Sequence, residues 1–299
     1  MAKFMPHSTK NTLLNYAFIC LFTLLCWLNN IAIAHPANVA DSEQSNFRPF
    51  ISKWKIEQAN TTITLPTWGD GYDYKVDWGD GTVEHWQDAP IKAGDKNAKH
   101  LATHLYTQPG IYRIKIWGKF PQIHFDNGIR NGDAPGVDKD KIIDIEQWGD
   151  IQWRSMGAAF WGCKHLNVSA SDAPILSKVS KTNGMFRDAI SFNGDISHWN
   201  VSQVKNLSNM FNGASAFDQN LGDWQLDSAK GLNAFLSGVA LSPENYDALL
   251  ISWSKQKKLR KRVKFDAGKS QYTQAGAIAK QKLIEKLRWQ FIDGGLVEN

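Results

Sequence analysis

The chain has 299 residues, of which 34 are Lys or Arg and 29 Asp or Glu; 42% are hydrophobic and 12% aromatic. That length and apolar content suffice for two ordinary domains with real cores, and they exclude wholesale disorder. The formal charge of +5 is carried by Lys3, Lys10 and seven basic residues within Lys255–Lys264, which leaves 25 basic against 29 acidic residues elsewhere. A diffuse phosphate-binding face is therefore not expected, and nucleic acid is not an expected partner.

Residues 1–34 read as a secretory signal peptide. Lys3 and Lys10 supply a positive start, Leu13–Ile33 is largely apolar, and Ala32-Ile33-Ala34 gives the small-x-small pattern of a cleavage site. Asn15, Asn29 and Asn30 interrupt the apolar run, so no integral membrane segment is expected after cleavage. Cys20 and Cys26 leave with this segment. Cys163 alone remains, and the mature chain must hold together by core burial without an intrachain disulfide. Set in Ala159-Phe160-Trp161-Gly162-Cys163, it reads as a small buried filler rather than a nucleophile. Residues 35–49 read as a linker.

The next segment, 50–135, carries strand signals. Thr61–Leu65 alternates small polar with apolar residues, and Tyr72, Tyr74, Val76 and Trp78 fall on one face of a period-2 run. Gly79-Asp80-Gly81 supplies a tight reversal into a return strand, Thr82–Trp86. After the Pro109-Gly110 turn, Tyr112, Ile114 and Ile116 alternate with Arg113, Lys115 and Trp117. These are hairpins of an antiparallel sandwich. The pattern VDWGDGT at 76–82, followed by His104, Tyr106, Pro109, Gly110 and Tyr112, resembles the polycystic-kidney-disease (PKD) type of immunoglobulin-like β-sandwich. The long insert Gln87–Lys99 and a weak first strand depart from that pattern. The resemblance implies a non-catalytic extracellular spacer or binding module.

From 136 to 240 the chain repeats. Met185-Phe186 through Trp199 aligns with Met210-Phe211 through Trp224 at an offset of 25 residues, with Met, Phe, Ala, Phe, an apolar residue and Trp recurring in place. A weaker copy lies at Ala159-Phe160 and a decaying one at Ala234-Phe235. Self-similarity at this period predicts a solenoid whose coils cover one another's apolar faces, with Phe186 on Phe211 and Trp199 on Trp224 as internal ladders. The frame Trp199-x-Val201-x-x-Val204-x-x-Leu207-x-x-Met210-Phe211 resembles the BspA-type leucine-rich-repeat (LRR) surface proteins. The lead-in Ile145–Trp153 is similar to that family's entry segment. This resemblance implies an exported or surface protein.

The remainder, 241–299, reads as a cap. Ser242-Pro243-Glu244 is a helix start, and Tyr246, Leu249, Leu250 and Trp253 mark one helical face. Phe265–Gly268 reads as strand and turn. Ala275, Ile278, Ala279, Leu283 and Leu287 mark a second helix, and Trp289–Ile292 a closing strand. The expected fold class is thus mixed β and α/β: an N-terminal PKD/Ig-like antiparallel β-sandwich, then a short LRR-like solenoid with a helical C-terminal cap.

No catalytic motif, cofactor signature or metal site stands out. His100 and His104 have helical spacing but fall where a strand is expected, without a carboxylate partner. Asp77, Asp80 and Asp95 could suggest calcium, but Asp in a GDG turn usually bonds its own backbone. The chain is therefore expected to be a non-enzymatic, exported interaction or adhesion protein, binding an extracellular or envelope protein through its repeat face. The alternative is a carbohydrate- or envelope-binding protein. Its candidate contacts are Trp68, Trp86 and Trp117, which break the alternation or sit near turns, and Lys257, Lys258, Lys261 and Arg262 of the basic run. The bland reading of that run is a solvated loop.

Overall fold

The computed structural model describes residues 47–87, 102–125 and 138–298. The expectations for the leader 1–34, for Asp95 and for His100 lie outside the described residues. What is described is mostly β-sheet and turns with two short helices.

The period-2 run becomes β3 (Asp73–Asp77), with Tyr74 and Val76 buried and Tyr72 and Trp78 buried in line with them. The chain reverses at Gly79 and Gly81, both at positive φ, and returns as β4 (Val83–Gln87). A Cβ at Gly79 would stand 2.6 Å from the Arg113 carbonyl oxygen, so space as well as φ demands glycine there. β6 (Gly110–Lys119) pairs antiparallel with β3 on one side and with β1 (Phe50–Ile56) on the other. β2 (Thr61–Thr64) and β5 (Thr103–Tyr106) form a separate antiparallel pair. Ile63 and Tyr106 from that pair share a core with Trp54, Tyr74, Ile114 and Ile116 of the larger sheet.

The first strand is central rather than weak. Its far side pairs antiparallel with β7 (Ile142–Gln147), which pairs parallel with β8 (Asn167–Val168), giving a sheet of order β4-β3-β6-β1-β7-β8. Glu146 on β7 locks this arrangement. Its carboxylate lies 2.6 Å from Lys53 Nζ on β1 and 2.7 Å from Arg113 Nε on β6. The lead-in to the repeats is thereby hydrogen-bonded into the first sheet, and Phe47–Asn299 form one compact unit.

The 25-residue copies contain almost no regular strand or helix. They run as successive i to i+3 turns: Met185 N–H to Thr182, Arg187 to Gly184, Ala189 to Phe186, then Met210 to Leu207, Asn212 to Asn209, Ala214 to Phe211. Two left-handed positions punctuate each copy. Ala158, Gly184, Asn209 and Ala234 occupy one; Gly162, Asp188, Gly213 and Gly238 occupy the other. Such residues interrupt an extended backbone, which is why parallel pairing beyond β8 is reduced to the single bridges Gln152–Ile175, Lys181–Asn206 and Asn206–Gly231. The copies are hydrogen-bonded all the same. The N–H groups of Thr182, Gly184, Phe186 and Asp188 donate to the carbonyls of Asn206, Ser208, Met210 and Asn212. Leu207, Asn209, Phe211 and Gly213 repeat this onto Gly231, Asn233, Phe235 and Ser237.

The phenylalanine ladder is present. Phe160, Phe186 and Phe211 stack at 5.7 and 5.9 Å between ring centroids, and Phe192 stacks on Phe217 at 5.5 Å. The tryptophans step instead of stacking. Trp199 packs edge-on against Trp148, and Trp224 Nε1 donates to the Ile196 carbonyl at 2.9 Å. The Trp224 bond reaches back to the preceding copy, whereas Trp199 Nε1 is buried with no hydrogen-bond partner among the described residues. The last copy also differs from the expected alignment. Phe235 takes the position of Met210, so Leu236 takes that of Phe211. Phe235 then meets Phe211 edge-on, at 79°, and the stack ends.

The closing elements follow their sequence signals. α1 (Pro243–Trp253) starts at Ser242, whose side chain accepts from Asn245 N–H. α2 (Gln274–Leu287) starts at Thr273 and ends in left-handed Arg288. β9 (Lys264–Asp266) pairs with β11 (Gln290–Ile292), and β10 (Gln271–Tyr272) with β12 (Gly295–Leu296), all parallel. The Asp266 carbonyl accepts from Leu236 N–H and so continues the ladder of the stack onto the cap.

Candidate interaction surfaces

The three candidate tryptophans do not converge. Trp86 pairs across the hairpin with Tyr74 and shares its inward face, packing on the core. Its Nε1 donates to Glu84 at 2.8 Å, and the same carboxylate accepts from Trp78. Trp117 pairs with Lys75 and lies on the opposite face of that sheet, half-buried. Trp68 sits in the loop after β2 with 39% of its surface exposed, its ring 5.2 Å from that of His124. These three rings occupy three locations and share no face.

The residues with possible chemistry each have a structural duty. His104 enters β5 and its Nε2 lies 2.7 Å from Asp80 Oδ2, with its ring stacked on Trp78. Burial works to raise the Asp80 carboxyl, but the hydrogen bonds from His104 and Thr82 prevail and hold it below its ordinary range. Asp80 also accepts the Thr82 N–H, and Asp77 that of Gly79, the self-bonding pattern of such turns. Burial pushes the Tyr106 phenol up, helped by the Asp80 charge, and the Tyr106 hydroxyl donates to the Trp78 carbonyl at 2.7 Å. Cys163 is buried, and burial pushes its thiol well above the ordinary value, away from nucleophilic thiolate character.

The basic run is exposed and anchored. Leu259 and Val263 bury their side chains between the cations. Lys258 Nζ meets Asp227 at 3.3 Å, and Arg260 Nη1 donates to the Lys230 carbonyl at 2.9 Å. Lys255, Lys257, Lys261, Arg262 and Lys264 are exposed; no side-chain ion pair or hydrogen bond engages them among the described residues. Arg262 is in the left-handed region, where its N–H reaches the Leu287 carbonyl.

A second exposed edge of the stack has the opposite character. Ile190, Ser215 and Ala240 are exposed and uncharged at matching positions of three copies, and Ser191 and Ala216 at matching positions of two. Ile190 leaves 46% of its surface open, and its carbonyl accepts from Ala216 N–H, which holds neighbouring rungs in register.

One functional ladder escaped the reading of the sequence. Asn167 Oδ1 accepts from Asn193 N–H, Asn193 Oδ1 from Asp218 N–H, and Asp218 Oδ1 from Ser242 N–H. The signal was there in the recurring Phe192-Asn193 and Phe217-Asp218 pairs: a short side chain with a carbonyl or carboxylate oxygen is what this position requires.

Among known proteins, residues 136–248 match a family described as "Mycoplasma protein of unknown function, DUF285". No curated protein and no solved structure matches the chain. No helix among the described residues is long and apolar enough to cross a membrane.

Proposed function

We propose that this is an exported, non-catalytic interaction protein that grips a protein partner through the uncharged edge of its stacked repeats. In this reading the first sheets are a PKD-like module, and the stack is a short solenoid of the BspA type. The match at 136–248 covers the same repeats that carry that resemblance. The observation that carries the reading is the division of labour in each copy: phenylalanines fill the inside, turn and ladder residues hold the rungs, and uncharged side chains repeat outward at Ile190, Ser215 and Ala240. A regular uncharged edge on a rigid support suits the charge-poor core of a protein contact.

The test is adhesion of the labelled full chain to intact cells or matrix, with and without prior protease treatment of the target. Binding is expected to disappear after proteolysis of the target and to fall at least about tenfold in a Ser215→Glu/Ala216→Arg variant, the size of a disrupted interface core. Binding that survives both would sink the proposal.

A further inference from the structure

The basic run and the repeats form a single surface. Val179, Val204 and Ala229 are buried anchors at the same position of successive copies; the residue that follows is half-buried Ser180 in the first and exposed Lys205 and Lys230 in the next two. Lys205 N–H donates to the Ser180 carbonyl at 3.0 Å and Lys230 N–H to the Lys205 carbonyl at 2.8 Å, so these residues stand one above another. The basic run continues the series. Leu259 is the buried anchor, and Arg260 follows it with its guanidinium on the Lys230 carbonyl. Flanking columns add Lys178 and Lys181 on the first rung and Lys258 and Lys261 on the last. The twelve positions 178, 180, 181, 203, 205, 206, 228, 230, 231, 258, 260 and 261 hold seven cations and no acid, and Asp227, next to position 228, pairs with Lys258 at 3.3 Å. Hydrogen-bonded rungs lie about 4.8 Å apart, so the charges form a line along the stack.

We infer that this cationic ladder binds a linear acidic polysaccharide. A line of cations suits an extended chain with one carboxylate or sulfate per sugar, because each rung then meets one anion. Two other polyanions fit less well. Single-stranded nucleic acid needs aromatic rings to stack its bases, and none of the twelve positions is aromatic. Charge alone draws a polybasic surface to anionic lipid, but a lasting hold adds apolar side chains inserted beside the charges. Between residues 191 and 277, no large hydrophobic side chain is exposed among the described residues. This surface shares no residue with the uncharged edge, so the inference does not rest on the protein-partner reading.

The experiment uses the full chain and polygalacturonate as the probe, with affinity measured between about 50 and 200 mM salt. A Lys205→Glu/Lys230→Glu variant is expected to bind at least about tenfold more weakly and to show a shallower salt dependence. Lys282→Glu/Lys286→Glu changes net charge equally on exposed positions of α2 and is expected to bind as the parent does. Single-stranded DNA and phosphatidylglycerol vesicles are run alongside and are expected to bind more weakly than the polysaccharide. Equal losses in the two double variants, no binding of polygalacturonate, or tighter binding of DNA or vesicles would each overturn the inference.

Discussion

At the scale of single residues, the left-handed positions show how the repeats tolerate and refuse substitution. The series Ala158, Gly184, Asn209 and Ala234 admits side chains, whereas the series Gly162, Asp188, Gly213 and Gly238 is mostly glycine. Space separates Gly213 from Gly184. A Cβ on Gly184 would have Arg187 Cβ 3.8 Å away as its nearest neighbour. One on Gly213 would run into Asp188 Oδ1, whose carboxylate is already held by Trp161 Nε1 at 3.0 Å. Gly184→Ala should therefore cost about 1 kcal/mol, the price of left-handed backbone alone, and Gly213→Ala about 2 kcal/mol more, since the steric conflict adds to it. Urea unfolding of the two variants checks this. Equal losses would show that the crowding at Gly213 is relieved without cost.

At the scale of elements, α1 is positioned by the preceding repeat as much as by its own cap. Asp218 Oδ1 accepts from Ser242 N–H at 2.8 Å, from Ser242 Oγ at 3.0 Å and from Asn245 Nδ2 at 2.8 Å. Asp218→Ala leaves these donors unsatisfied and should lower stability by about 2 kcal/mol, while exposed Asp223→Ala should stay within about 0.5 kcal/mol of the parent. Matching midpoints in chemical denaturation would contradict that role. The same elements mark what the sequence reveals. Strands with a buried face, such as Tyr74 and Val76, announce themselves by alternation, and α1 by its cap and apolar stripe. Copies spaced by 25 residues announce the stack through Met185/Met210 and Phe186/Phe211. Pairing between distant segments is not written locally: β7 joins β1 through a backbone ladder, and Glu146 meets Lys53 and Arg113 across the sheet only once that ladder has formed. Trp86 looked like a surface contact because its facing depends on the hairpin register, which sets it opposite Tyr74. The basic run is the exposed loop between α1 and β9 that its sequence announces, whereas the placing of Leu259 in line with Val204 and Ala229 is visible only in the fold.

At the scale of the whole molecule, a sheet shared by both halves of the chain turns the repeats into an extension of the sheet's core. One contiguous set of buried side chains runs from Phe50 through Phe211 to Trp289. A stack of turns with little regular secondary structure would be expected to open locally. Here its inner face is closed by aromatic stacking, one end by β7 and β8, and the other by the cap. Rigidity of this composite body is the physical premise of both binding proposals, because a surface built from matching positions of successive copies exists only while the copies stay in register. Native-state hydrogen exchange probes it directly. The account predicts that the amides of Gly184, Phe186, Asp188, Asn209, Phe211 and Gly213 exchange with the same opening free energy as those of Trp54 and Ile114 in the sheet. Rapid exchange of the repeat amides while the sheet stays protected would contradict it.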